Sequence, residues 1–170
     1  VSASARLETI QALGIMTGDE NGNMNLSASV TRAEFVKMMV AASPYKDSVG
    51  DGYSASLFKD VKSGHWASGY IKLAVEQEWI TGYVDGTFRP DAYITRAQAV
   101  TMINRMLNRV PEDPSDLLPG MNVWPDCGPG DWFYLAIQEA TNSHDYRRKA
   151  GSYETWTDLN ANPDWTRYEN

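Results

Sequence analysis

The sequence predicts a mainly α-helical fold built from helix-loop-helix repeats, with short extended segments in the loops. Three observations carry this expectation. Thr17-Gly18, Gly22, Ala28 and Thr31-Arg32-Ala33 recur 64 positions later, without a gap, as Thr81-Gly82, Gly86, Ala92 and Thr95-Arg96-Ala97. Thr31 with Glu34, and Thr95 with Gln98, each spell a capping box ahead of an apolar stripe at helical spacing. Trp124-Pro125-Asp126 and Gly130-Asp131-Trp132 repeat Phe58-Lys59-Asp60 and Gly64-His65-Trp66 at an offset of 66. A fixed period of this length marks units that bury their apolar faces against one another.

Taken in order, residues 3–13 read as a helix with Leu7 and Ile10 on one face and Gly14 as its stop. The polar turn Asp19 to Asn25 superficially resembles a calcium loop. Met24 and Val30 stand where such a loop needs Gly and Glu, so a Gly/Asn turn is the better reading. The helix after Thr31 places Phe35, Met38, Met39 and Ala42 on one stripe, with Val30 poised to staple against Phe35. Residues 43–57, with Pro44, Gly50 and Gly52, read as a linker. The second unit opens at Phe58-Lys59-Asp60-Val61, has a first helix facing inward through Ile71, Ala74 and Val75, and turns at Thr81 to Gly86. Its second helix carries Ala99, Met102, Ile103 and Met106. Residues 110–121 read as another linker. A third first helix follows, with Ile137 and Ala140 in the places of Ile71 and Ala74, but no third Thr-Arg-Ala. The chain runs instead through Ser143-His144-Asp145, the basic step Arg147-Arg148-Lys149, and a weakly periodic tail containing Trp156 and Trp165, with Pro163 opening a short closing turn. The expected organisation is therefore a first repeat over 1–45, incomplete at its start, a complete second over 58–109, half of a third over 122–146, and a tail over 147–170.

The 170-residue chain is long enough for a sizeable core, and its net charge of −7 argues against nucleic acid or an anionic membrane as main partner. No apolar run reaches the length of a membrane span, so no membrane insertion is expected. One cysteine, Cys127, excludes an internal disulfide framework and a thiolate zinc site, and reads as a partly buried free thiol. No cofactor or metal is expected. Six Trp and nine Tyr exceed the needs of such a core and suit carbohydrate or protein surfaces. The chain begins inside a repeat, which reads as a mature or excised fragment.

Written as F-x-D-V, H-W-A, helix, T-G-Y-x-D-G-x-F-x-P and I-T-R-A, the second unit resembles the S-layer homology (SLH) repeat of bacterial cell-surface proteins over its whole length, Phe58 to about Asn108. The first unit matches from its first helix onward, the third at its opening and first helix. The resemblance implies a pseudo-threefold helical assembly and a non-catalytic, secreted cell-wall anchor. Its inter-repeat grooves would bind secondary cell-wall polysaccharide, pyruvylated or otherwise anionic. It carries the ligand-binding roles to Arg32, Arg96, Asp60, Trp66 and Gly82, and to Asp126 and Trp132 in the third opening.

The arginines also stand out on physical grounds. At the first helical position the macrodipole disfavours a cation by about 0.3–1 kcal/mol, so Arg32 and Arg96 imply an acidic partner, either an external carboxylate or Asp60 or Asp126 within the protein. Trp66 and Trp132 read by default as buried against the neighbouring helix, and Gly82 and Gly86 as turn residues needing positive φ. Two alternatives compete with anchoring. One is a structural module that self-associates through an open repeat end. The other is a cell-wall glycan-processing enzyme, for which His65, His144 and the adjacent Ser143 and Asp145 offer no recognisable catalytic spacing.

Overall fold

The computed structural model describes residues 2–50 and 57–164. These hold five α-helices: α1 (Ala3–Ala12), α2 (Arg32–Ala41), α3 (Ser68–Glu76), α4 (Arg96–Met106) and α5 (Tyr134–Thr141). They also hold three strands: β1 (Val110–Pro111), β2 (His144–Arg148) and β3 (Tyr153–Leu159). The described chain falls into two compact units that divide between Ile94 and Thr95.

The repeat period is written into the helix ends. Thr31 and Thr95 each accept from the backbone N–H three residues on, while Glu34 and Gln98 return a bond to the cap's own N–H. Gly14 and Glu78, 64 positions apart, are both left-handed residues closing α1 and α3 (φ 71° and 60°). Each lets the next N–H reach back to the helix, Ile15 to the Ile10 carbonyl (3.0 Å) and Trp79 to that of Ala74 (2.9 Å). The 66-residue offset is equally physical. Val61 bonds back to Phe58 and Cys127 to Trp124, both at 3.2 Å, before α3 and α5.

In the N-terminal unit α2 packs on α3 around Val36, Val40, Val61, Ile71, Ile80 and Phe88, none more than 2% exposed. The buried stripe of α2 is Ala33, Val36, Met39 and Val40, so the helix is rotated from the expected stripe, and Phe35 and Met38 are only half-buried. In α3 the expected Ile71 and Ala74 are fully buried.

The C-terminal unit departs from a mainly α fold. With 34% helix and 13% strand, the described residues combine helices with a mixed three-stranded sheet, ordered β1-β3-β2. Residues 144–146, expected to end the third repeat, and residues 147–159, expected to be tail, form the antiparallel β2–β3 hairpin, turned at Gly151 (φ 79°), and the expected linker supplies β1, parallel to β3. Period-2 burial is present in β3, but its inward residues are Glu154 and Trp156, and the charged one hides the alternation. The face of α5 answers that hairpin. Tyr134, Gln138 and Glu139 are buried while Ala140 is exposed, contrary to the match with Ala74. Leu117, buried Cys127, Tyr134 and Trp156 form the core here. Of the expected linker over 43–57, Lys46–Ser48 forms a 3-10 turn, and residues 51–56, with Gly52, lie outside the described residues, as does Trp165. Residues 160–164, Pro163 included, have no regular structure.

Candidate functional site

Arg32 is positioned by the start of α2 and received by the loop between α3 and α4. Its backbone N–H donates to the Ala92 carbonyl (2.9 Å) and its Nε to the Phe88 carbonyl (2.8 Å). The guanidinium carbon lies 4.6 Å from the centroid of the Phe88 ring and 4.9 Å from that of Tyr83, and the residue is 3% exposed. Burial lowers its pKa from the ordinary value; Tyr83 opposes that, Arg89 adds to it and Asp60 opposes it. Arginine stays charged under such a shift. Asp60 does not form the expected ion pair. Its carboxylate accepts from the backbone N–H groups of Phe88 (2.8 Å) and Arg89 (2.7 Å), and so fixes the loop that Arg32 enters.

Gly82 serves the same loop by its lack of a side chain. Its φ is not positive, unlike that of Gly86 (81°). A Cβ at Gly82 would fall 2.7 Å from a Phe58 ring carbon and 2.8 Å from the Thr87 carbonyl oxygen. Beside it Asp85 accepts from the Thr87 hydroxyl (2.6 Å) and pairs with Arg89 (3.1 Å). The Thr87 bonds, with Arg89 behind them, lower its pKa to about 2. Arg32, Asp60 and Gly82 therefore converge on one loop, which also recruits Tyr83 and Asp85 of the Gly-rich motif and the neighbouring Arg89, none of which was expected to take part in binding.

The tryptophans behave differently. Trp66 and Trp132 are 56% and 66% exposed, overturning the expectation that both pack against a helix. Each is backed by an adjacent ring: His65 stacks on Trp66 at 5.8 Å, and Phe133 meets Trp132 edge-on at 5.4 Å. Arg96 and Asp126 are exposed as well, both in the C-terminal unit with Trp132. In the N-terminal unit Trp66 stands at a cavity of about 480 Å³, formed by the α1–α2 loop and by Glu34, Lys37 and Met38 of α2. Lys37 donates to the carbonyls of Gly14 (3.2 Å) and Ile15 (3.1 Å), and burial lowers its pKa. Asp19 holds the adjoining turn, accepting from the N–H groups of Asn21 (3.0 Å) and Asn23 (2.8 Å), as the Gly/Asn-turn reading expects.

A second constellation was missed in the sequence. His144, which offered no recognisable catalytic spacing in the sequence, has its side chain buried and its ring stacked on Trp156 at 4.0 Å. Its Nδ1–H donates to the Asn142 carbonyl (2.7 Å), and its Nε2 faces Glu139 (3.2 Å) and Glu154 (3.3 Å). Burial works against its charged form, but the bond to Glu139 and the Asn142 carbonyl prevail and raise its pKa. Arg109, delivered by the left-handed Asn108 after α4, bridges Glu139 and Glu154 at 2.8 Å each. Glu139, His144 and Glu154 bring ligand atoms within 4.8 Å of one another, the spacing of a metal site. Here Arg109 already stands between the two carboxylates, with its Nη2 also 2.8 Å from His144 Nε2, and His144 adds a second cation when it is protonated. Glu112 and Asp116 are likewise taken up by Lys149, at 2.8 and 3.0 Å.

Comparison with known proteins agrees with the repeat pattern. The family model described as "S-layer homology domain" matches residues 2–36 and 57–100. The "Surface layer protein" of Brevibacillus choshinensis is 31% identical over 146 residues, 86% of this chain and 12% of that protein. The "Middle cell wall protein" of Brevibacillus brevis is 32% identical over 120 residues, 71% of this chain and 11% of that protein. The "Cellulosome-anchoring protein" of Acetivibrio thermocellus is 32% identical over 146 residues, 85% of this chain and 31% of that protein. The chain thus spans a third or less of these relatives. Two matched repeats and relatives of this kind agree with the paired capping boxes, the shared loop and the two helix openings: the chain belongs to the S-layer homology domain family of bacterial cell-wall and cell-surface proteins.

Proposed function

We propose that this chain anchors its protein at the cell wall by binding an anionic secondary cell-wall polysaccharide, pyruvylated or carrying another acidic substituent. Family membership supports the anchoring role. One observation carries the glycan reading: Trp66 and Trp132, at equivalent places before α3 and α5, both present their rings to solvent. A core does not expose the same large ring twice at one repeat position, whereas a sugar face stacks on such a ring. Arg96, with its side chain exposed, is the motif arginine open to an acidic substituent, and its planar fork suits a carboxylate. Arg32, Asp60 and Gly82 shape and stiffen the loop, and Asp126 opens the third repeat as Asp60 opens the second. The module performs no catalytic step.

Pull-down on purified cell-wall sacculi, before and after removal of acidic substituents, tests this. Trp66→Ala and Trp132→Ala should each weaken retention while leaving thermal stability within about 0.5 kcal/mol of wild type, as expected for exposed side chains. Removing the acidic groups should weaken it further, and by less in Arg96→Ala. Undiminished retention of a folded Trp66→Ala/Trp132→Ala double variant would sink the ring-platform reading. Hydrolysis of the wall material by the wild type would sink the non-catalytic one.

A further inference from the structure

The sheet of the C-terminal unit has an open edge. With the order β1-β3-β2, β2 has β3 on one side and, among the described residues, no strand on the other. The hydrogen bonds at the two ends of the hairpin fix which backbone groups are left over. Asn160 N–H donates to the Ser143 carbonyl (2.8 Å) and Lys149 N–H to that of Tyr153 (2.9 Å), so residues 143 and 149 turn their backbone groups toward β3. The irregularity between Asp145 and Tyr146 is taken up by Thr157, an extra residue in β3, and β2 itself alternates without a break. Asp145 and Arg147 therefore bond to β3 as well, and His144, Tyr146 and Arg148 aim their N–H and C=O groups outward. Among the described residues nothing receives these outward groups.

The side chains of β2 also divide between two faces. His144, Tyr146 and Arg148 lie on the inner face, where the guanidinium carbons of Arg109 and Arg148 sit 4.0 and 5.0 Å from the Tyr146 ring centroid. Asp145 and Arg147 stand on the other face, and both are exposed. The Asp145 carboxylate accepts from the uncharged amide of Asn160 (3.1 Å), and the Arg147 side chain has no partner among the described residues.

Charges on an edge strand ordinarily keep other strands away. Those of β2 are of opposite sign on either side of Tyr146, which makes the edge complementary to itself. When a second copy is set antiparallel with Tyr146 opposite Tyr146, every outward N–H of residues 144, 146 and 148 meets an outward C=O. Asp145 then faces Arg147 of the second copy, and Arg147 faces its Asp145, in the non-hydrogen-bonded pairs where cross-strand side chains come closest. Moving the two-fold axis to a neighbouring residue sets Asp145 against Asp145 or Arg147 against Arg147, which repulsion disfavours. His144 and Arg148, opposite one another, contribute backbone bonds alone, because the His144 side chain is buried in its own unit and Arg148 lies 3.7 Å from Glu154. We propose that two copies of this chain pair antiparallel along β2, about a two-fold axis at Tyr146. Such an isologous contact closes on itself and stops at a dimer. So short an edge buries less than a standard interface, which makes the dimer weak in dilute solution and suited to crowded copies on a surface.

Sedimentation velocity on the full chain, from low-micromolar to millimolar concentration, tests this without any glycan. The wild type should pass from monomer to dimer, and added salt should move the transition to higher concentration. Asp145→Arg and Arg147→Asp each place like charges across the axis, and each should weaken the dimer by roughly tenfold or more, since symmetry makes every change count twice. Mixed in equal amounts, the two variants should dimerise again, because arginine in one then faces aspartate in the other. The double variant Asp145→Arg/Arg147→Asp should likewise regain wild-type affinity, with near-UV signals checking that each variant is folded. A wild type that stays monomeric at millimolar concentration overturns the proposal. So does a dimer of unchanged affinity in both single variants, and so does a loss that neither the mixture nor the double variant restores.

Discussion

Arg32 resolves the question its position raises. A cation at the first turn of α2 opposes the helix dipole, yet the side chain is 3% exposed, bonded to the Phe88 carbonyl and flanked by two rings. The dipole cost of about 0.3–1 kcal/mol is smaller than the about 1–2 kcal/mol expected from a desolvated cation over aromatic faces, before the hydrogen bond is added. Arg32 is thus a bolt between repeats, and its removal should show in stability first. Arg32→Ala should lower the urea midpoint of the N-terminal unit by the equivalent of about 2–4 kcal/mol, leaving the Phe88 carbonyl unpaired and a space between the rings. Arg32→Lys should recover less than half of that, because an ammonium neither stacks on Tyr83 and Phe88 nor donates from the Nε position. Equal stability of the Ala and Lys variants would show that the rings and the Nε bond contribute little. Arg96 shares the sequence motif but is exposed, so the motif identified two arginines whose surroundings differ.

At the scale of elements, the β2–β3 hairpin and α5 meet through charge as much as through apolar contact. Trp156 packs on Leu117 and Tyr134 and donates its Nε1–H to Glu139 (2.8 Å), while Arg109, joined by His144 when the imidazole is protonated, neutralises Glu139 and Glu154. The pKa of His144 is raised above its ordinary 6.5, chiefly by the Glu139 bond acting against burial. Its contribution to folding is therefore complete below the unfolded value and is lost as pH rises through the folded one. Glu154 acts in the same direction, because burial raises its pKa and its ionised form is the costly one. Glu139 is lowered and loses its contribution only at acid pH, as its carboxylate is protonated. Unfolding of this unit, followed by near-UV signals of Trp156, should show higher stability at about pH 6 than at about pH 8.5. His144→Gln should flatten that slope, and a slope that survives the substitution would place the titration elsewhere. None of this was legible beforehand. Helix starts at Thr31 and Thr95 and the stop at Gly14 were readable because caps are local in sequence. His144, Glu139 and Arg109 are brought together only by the hairpin fold, and the one strand with alternation carries a buried Glu where pattern reading looks for an apolar residue.

At the scale of the molecule, repeat arithmetic located the shared loop and both tryptophans, but it could not say which faces the repeats leave open. Exposure is a property of the assembled fold, so Trp66 and Trp132 were read by default as buried and Arg32 was left between an external carboxylate and an internal acid, whereas the structure exposes both rings and buries the arginine on a carbonyl and two aromatic faces. The two tryptophans lie in different compact units of one chain. If both stack on the same polysaccharide, the second contact forms at an effective concentration set by the chain linking the units, and retention on polymer exceeds what either site gives alone. Trp66→Ala and Trp132→Ala should then each cost roughly tenfold or more on sacculi, whose strands are long enough to reach both sites. On a short soluble oligosaccharide, if it engages one ring at a time, each single variant should lose about twofold, since the remaining site still binds. Losses of the same size on polymer and oligomer would mean that only one tryptophan meets the glycan, and would confine anchoring to the unit whose substitution carries the loss.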